Sequence, residues 1–194
     1  MDDGIVRGFS WCSIYGKSGR LEIVEVLSSH RGAGYGSILV EKTLELLKNR
    51  GVLVIDVECA PITSEPFWRR FGFKDLTPGT SVNGSRSPQL YKPIAEHAYE
   101  MDPPVRLTQK DIRIELWNSP PWNVDTDSAT WIWQVPVLDG GILKTPVIHS
   151  VNIEWRLRVT VGDRELHDDQ VKRLQTGREK SGKGFEVQRY GNVR

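Results

Sequence analysis

The stretch Arg31-Gly32-Ala33-Gly34-Tyr35-Gly36 constrains this chain more than any other, because it packs three glycines between an apolar run and an amphipathic one. Upstream, Leu21-Glu22-Ile23-Val24-Glu25-Val26-Leu27 reads as a strand that leads through Ser28-Ser29-His30 into the loop. Downstream, Leu39, Val40, Leu44, Leu46 and Leu47 recur at helical spacing, and Gly51 supplies a stop. A glycine loop that opens a helix leaves backbone N–H groups without intrahelical partners, and the macrodipole adds partial positive charge there. Such a turn can cradle a pyrophosphate.

Two nucleotide-loop readings fail on spacing. A P-loop needs Lys followed by Ser or Thr after its last glycine, and Ser37-Ile38 stands there instead. A dinucleotide fingerprint needs G-x-G-x-x-G, but Leu39 occupies the third glycine's place and Asp56, at roughly the right offset for the acidic residue, falls inside the next strand.

The flanking pattern is more specific. Val52-Leu53-Val54-Ile55-Asp56-Val57 is nearly continuous in apolar residues, as a strand covered on both faces should be. A short helix follows, with Thr63 or Ser64 as its cap, Pro66 in its first turn and Gly72 at its end. Its segment Phe67-Trp68-Arg69-Arg70-Phe71-Gly72-Phe73 closes the series. Arg31-x-x-Gly34-x-Gly36 with this strand, helix, strand and Gly-Phe ending resembles the GNAT superfamily of N-acetyltransferases over roughly residues 8 to 95, about half the chain.

The resemblance implies a set of roles. Loop amides of Gly32, Ala33, Gly34, Tyr35 and Gly36, with Arg31 and Ser37, would hold the pyrophosphate of acetyl-CoA. Val26, Leu27 and Ser28 would pair their backbone with the pantetheine arm, and an N–H there would polarise the thioester carbonyl. The acceptor amine needs a base, usually a carboxylate. Glu22, Glu25, Asp56 and Glu58 are the candidates, with Glu25 placed first and Glu58 facing it from the next strand. Each of these carboxylates could equally be solvated or ion-paired. Trp68 stands where the family often has a Tyr that protonates the departing thiolate. Indole offers only an N–H that does not ionise usefully, so Trp68 is expected to line the cofactor site or pack, and Cys59 or water would supply the proton. Only about twenty residues precede the loop's strand, so the family's N-terminal strand and helices are not expected here. Ile5 to Tyr15 would form one hairpin arm, with Gly16-Lys17-Ser18-Gly19 as the turn.

Beyond Ser87–Ile94 and a polar stretch with Pro103-Pro104, the pattern changes to period two. Ile112, Ile114 and Leu116 alternate, as do Trp131, Trp133 and Val135, and residues 151–161 alternate without a break. Turn signals fall at Asp139-Gly140-Gly141 and Gly162-Asp163. Five of the seven tryptophans lie here; they fill the core of a small sheet, or else Trp117 and Trp122 form an exposed platform for a partner. From Lys172 to Arg194 seven basic residues meet two acidic ones, a local +5 in a chain of net +1. Such a glycine-rich tail can touch nucleic-acid phosphates, although charge runs are usually just solvated.

The expected architecture is therefore α/β (α+β): a truncated GNAT-like mixed sheet with two helices over 1–96, a linker at 97–104, an antiparallel β module at 105–171 and a basic tail at 172–194. Two cysteines argue for reduced thiols in a cytoplasmic setting, no signal peptide or membrane span is visible, and the four histidines show no metal-ligand spacing. Exposed sheet edges would let two copies pair as a homodimer. The leading functional reading is an acyl-CoA-dependent N-acyltransferase acting on an unspecified amine by direct transfer. The alternative is a GNAT-like binding or assembly protein that acts through its Trp-rich module without turnover.

Overall fold

The computed structural model describes residues 4–76, 87–98, 111–123, 128–138, 142–174 and 184–189. The chain divides into two compact units, Met1–Ala95 and Glu96–Arg194.

The first unit begins with a hairpin of β1 (Gly8–Tyr15) and β2 (Ser18–Val26). Its turn is tighter than the four residues expected: Gly16 and Lys17 alone join the strands, and Gly16 takes a positive φ of 62°. Helix α1 (Tyr35–Asn49) then carries the chain across to β3 (Val54–Glu58), which lies parallel to β2. Parallel neighbours require such a crossover. After α2 (Glu65–Arg70) come β4 (Lys74–Asp75) and β5 (Gln89–Pro93), giving a mixed sheet in the order β1-β2-β3-β5-β4.

Helix α1 seals one face of this sheet. It buries Thr43 along with Val40 and Leu47, and the latter two join a core with Leu21, Val52, Ile55, Val57 and Leu90. Each such side chain removed from water contributes about 1.5–3 kcal/mol. Cys12 and Val24 pack on the same core, and Ser10 Oγ shares a 2.7 Å hydrogen bond with Thr43 Oγ1. Leu46, counted with the apolar positions, is 47% exposed. Helix α2 follows Ser64, but the Ser64 side chain makes no capping bond and its buried Oγ has no hydrogen-bond partner.

The second unit is a six-stranded antiparallel sheet. Its strands are β6 (Asp111–Leu116), β7 (Trp131–Leu138), β8 (Ile142–Ser150), β9 (Arg156–Val161), β10 (Arg164–Gln170) and β11 (Gly184–Arg189). The order is β10-β9-β6-β7-β8-β11, so part of the basic tail supplies an edge strand. The expected turn at Asp139-Gly140-Gly141 lies outside the described residues. Gly162 turns β9 into β10 with a φ of 54°.

One strand reading is corrected. Residues 151–155 are not the start of β9 despite their alternation. Asn152 accepts the Glu154 N–H on its side-chain oxygen and the Trp155 N–H on its carbonyl, which folds this stretch into a turn. The exposed-platform idea is corrected too. Trp117 is 1% exposed, covered by the guanidinium groups of Arg156 and Arg158 at 4.5 and 5.2 Å from its ring centre. Trp131, Trp133 and Trp155 are also buried, and Trp122 alone of the five is largely exposed.

Candidate functional site

The site grows from an irregularity in β2. Trp11 pairs with Ile23, but its neighbour Cys12 pairs with Leu21, so Glu22 is the extra residue of a β-bulge. Adjacent strand residues face opposite ways. Trp11 and Cys12 therefore place Ile23 on the face opposite Leu21, although the two are only two residues apart. Arg20, Ile23 and Glu25 consequently share the face away from α1. Arg20 pairs with Asp56 on β3, which brings Glu58 to that face as well.

Just past the bulge the strands part. β2 and β3 are in register from Ser18–Val54 to Leu21–Val57, and no further pair joins them among the described residues. The wedge between them opens into a groove of about 810 Å³. Residues 21–26 form one wall and Val57, Glu58, Ala60 and Pro61 the other, with Ser64, Phe67, Trp68 and Arg70 from the α2 region at the back. At its far end lie His30, Arg31, Gly32, Gly34, Tyr35, Gly36 and Ser37.

The glycine loop fits an anion for stated reasons. Gly32 and Gly34 hold φ values of 81° and 84°, where L side chains are strained, and a Cβ on either would meet nothing within 4 Å. The bare backbone there faces open space. Gly34 is the N-cap of α1 and its carbonyl accepts the Ser37 N–H at 3.0 Å, so the Tyr35 and Gly36 amides are the ones that helix geometry leaves without intrahelical acceptors. A Cβ added to Gly36 would meet Phe67 and Val26 at 3.6–3.8 Å, an ordinary contact, so packing does not demand glycine there. Tyr35 is pinned by Arg7, whose Nη1 donates to its hydroxyl at 2.5 Å.

The carboxylates are all engaged. Glu25 Oε1 accepts from Arg31 Nη2 at 2.6 Å, while Arg31 Nε donates to the Val26 carbonyl at 3.1 Å. Arg20 lies within 4 Å of three acids: Glu58 at 3.1 Å, Glu22 at 3.4 Å and Asp56 at 3.7 Å. Of the four sequence candidates, Glu22, Glu25 and Glu58 line the groove, and Asp56 is buried beneath Arg20. Among the expected cofactor residues, Val26, Arg31, Gly32, Gly34, Tyr35, Gly36, Ser37 and Trp68 come together on the groove wall. Leu27, Ser28 and Ala33 are not among its lining residues.

Trp68 is 6% exposed and packs edge-on against Phe67 and Phe73. Cys59 lies in the core, away from the groove lining, and burial pushes its thiol up to about 11. It does not reach a leaving group in the groove. Sequence reasoning gave no site role to Phe67, His30 or Arg70, and read Ser64 only as a candidate helix cap. Phe67 was legible as the aromatic one helical face away from Trp68, whereas the others depend on tertiary placement. Among the described residues no cluster of three His, Cys, Asp or Glu side chains could hold a metal ion.

A glycine cradle at a helix start, joined by a groove to a bulged strand beside its parted parallel neighbour, invites comparison with known families. Residues 1–73 match the acetyltransferase (GNAT) family. Among solved structures, a GNAT-family acetyltransferase of Staphylococcus aureus is 16% identical with a TM-score of 0.42, the match covering 49% of this chain and 64% of that one. The Escherichia coli ribosomal-protein-S18-alanine N-acetyltransferase is 19% identical with a TM-score of 0.40, covering 49% and 66%. The PaiA N-acetyltransferase of Thermoplasma acidophilum, solved with coenzyme A, is 16% identical with a TM-score of 0.41, covering 48% and 57%. This chain thus spans less than two thirds of each of these structures. Comparison with curated proteins gives no match. The GNAT resemblance belongs to the first unit.

Proposed function

We propose that the GNAT-like unit binds an acyl-CoA, acetyl-CoA in the simplest case, and transfers the acyl group to an amine. The observation that carries this is the continuous groove from the glycine cradle to the open wedge between β2 and β3. In this reading Gly32, Gly34 and the first-turn amides of α1 hold the diphosphate, and the Arg31 guanidinium adds a bidentate partner. The strand end at Val26, unpaired on its β3 side, offers backbone groups to the pantetheine arm. When bound, the acyl-CoA supplies an activated thioester.

The residues of the wedge do the rest. Glu25, on the exposed face beside the bulge, takes a proton from the incoming ammonium, directly or through water. Glu58 shares its face from the opposite wall, held by Arg20. Trp68 shapes the back of the groove and its indole N–H does not ionise usefully, so the leaving thiolate is protonated by solvent.

Titration calorimetry with acetyl-CoA tests the cradle, using the intact protein and Gly34→Glu. Glutamate there adds bulk and a negative charge where the diphosphate would sit. Micromolar binding that vanishes in the variant supports the assignment. Absence of binding to the wild-type protein overturns it.

A further inference from the structure

The Arg31–Glu25 contact ties together two groups that the proposed reaction uses for different purposes. Arg31 spends its donors on Glu25 Oε1 at 2.6 Å and on the Val26 carbonyl at 3.1 Å. One side chain thus occupies the candidate base, the strand-end carbonyl and its own anion-binding fork at once. Both partners are largely exposed, at 64% and 51% for the side chains of Arg31 and Glu25. An ion pair this open to water is weak and easily exchanged. A diphosphate is the stronger competitor, because guanidinium meets phosphate oxygens bidentately and the loop amides hold the same anion from the other side.

Resting on the acyl-CoA reading above, we propose that Arg31 is a ligand-operated latch. With the cradle empty it holds the Glu25 carboxylate and the Val26 carbonyl. When a CoA diphosphate enters, Arg31 swings to it and releases both groups, so the base is freed only once the acyl donor is seated. Acceptor binding would then follow acyl-CoA binding. The topology supports the coupling: Glu25 and Arg31 are six residues apart, joined by the end of β2 and the Ser28–His30 turn, with the bulge at Glu22 having turned Glu25 to the exposed face. A pair serving only to steady the loop would predict a different result when it is cut.

The test is calorimetric titration of the full chain with coenzyme A, whose free thiol permits no turnover, on wild type, Glu25→Gln and Glu25→Asp. Cutting the latch removes a competitor for Arg31, so Glu25→Gln binds coenzyme A about twofold to fivefold tighter, the range set by exposed ion pairs. Glu25→Asp keeps the charge but is one methylene too short to hold the contact, and it also binds tighter. Tightening in Glu25→Gln alone would mean simple relief of charge repulsion, and the latch is overturned. Unchanged or weaker binding in both variants, with wild type binding normally, overturns the latch and leaves the acyl-CoA reading standing. Failure of all three proteins to bind coenzyme A removes the acyl-CoA reading and the latch with it. Both positions are exposed, and a thermal melt confirms that each variant is folded.

Discussion

At Gly34 the backbone holds φ 84° with open space where a Cβ would stand, and at Gly8 the reverse is true. A Cβ on Gly8 would lie 2.5 Å from the carbonyl oxygen of Glu25 and 3.1 Å from Leu39. Gly34→Ala thus costs only left-handed strain, about 1–2 kcal/mol, while Gly8→Ala forces β1 off β2 beside Glu25 at about 1–3 kcal/mol. Urea titrations of the two variants should both show a loss. Binding of acetyl-CoA should weaken only modestly for Gly34→Ala and fall sharply for Gly34→Glu. Cys59 gives a second check at this scale. Its thiol is raised to about 11 by burial first, with the Glu65 carboxylate adding to the shift, against 9.0 when unperturbed. The folded state therefore holds the proton more tightly than the unfolded chain. Its contribution is intact below pH 9 and declines as pH rises from 9 towards 11. Thiol labelling at pH 8 should modify the half-buried Cys12 faster than Cys59, which reacts only on unfolding. The glycines of the loop were legible in the sequence because φ and close approach are local demands. The partner of Arg31 was not, because the contact joins a loop to a strand end whose facing depends on the bulge.

Helix α1 and strands β2 and β3 follow from the apolar pattern, but the bulge does not. Residues 21–27 read as one strand, and an unbroken strand would put Leu21, Ile23 and Glu25 on a single face. The structure places Glu25 opposite Leu21 through the single extra residue Glu22. A bulge leaves no compositional mark, since its cause is pairing with a neighbour rather than local propensity. Deleting Glu22 would make Cys12–Leu21 and Trp11–Ile23 consecutive pairs of a regular ladder, so every residue from Ile23 to Val26 keeps its face. Glu25 would stay on the face away from α1, and Val24 on the core face. The deletion variant should therefore fold and keep its affinity for acetyl-CoA within a few-fold, as read by thermal melting and calorimetry; loss of folding would mean that the pairing does not become regular without Glu22. Replacing Glu22 by Ala keeps the bulge and removes only one of three acids around Arg20, an exposed pair worth about 1 kcal/mol or less. That variant should retain both fold and binding. Residues 151–155 fail in the opposite direction, since their alternation is a good strand pattern. There the Asn152 side chain and carbonyl offered nearby N–H groups local acceptors, and the turn won over the ladder.

Across the whole molecule, the groove and its carboxylates lie in the first compact unit, and a separate charge network holds the second. Arg156 donates to both oxygens of Asp168 at 2.6 and 2.7 Å, and Arg158 Nε reaches it at 3.0 Å. The two guanidinium groups also cover the Trp117 ring, so the network closes the indole off from water. The Arg156 hydrogen bond, followed by that of Arg158, holds the Asp168 carboxyl below its usual value of 3.8. The sign is that of a depressed carboxylate: the stabilisation is present above pH 3.8 and is lost as pH falls through the lower folded value. Asp168→Asn removes charge-assisted bonds from both arginines, a loss of about 1.5–3 kcal/mol. It should lower the melting temperature by several degrees or more at neutral pH and flatten the acid dependence below pH 4. Its effect on the site is the sharper measurement. If acyl-CoA recognition resides in the groove of the first unit, Asp168→Asn keeps its affinity for coenzyme A within about twofold at temperatures where the variant stays folded. A larger loss would overturn the assignment of acyl-CoA recognition to the groove of the first unit alone. With that affinity preserved, a change confined to the transfer rate for a given amine would instead assign the second unit to the acceptor.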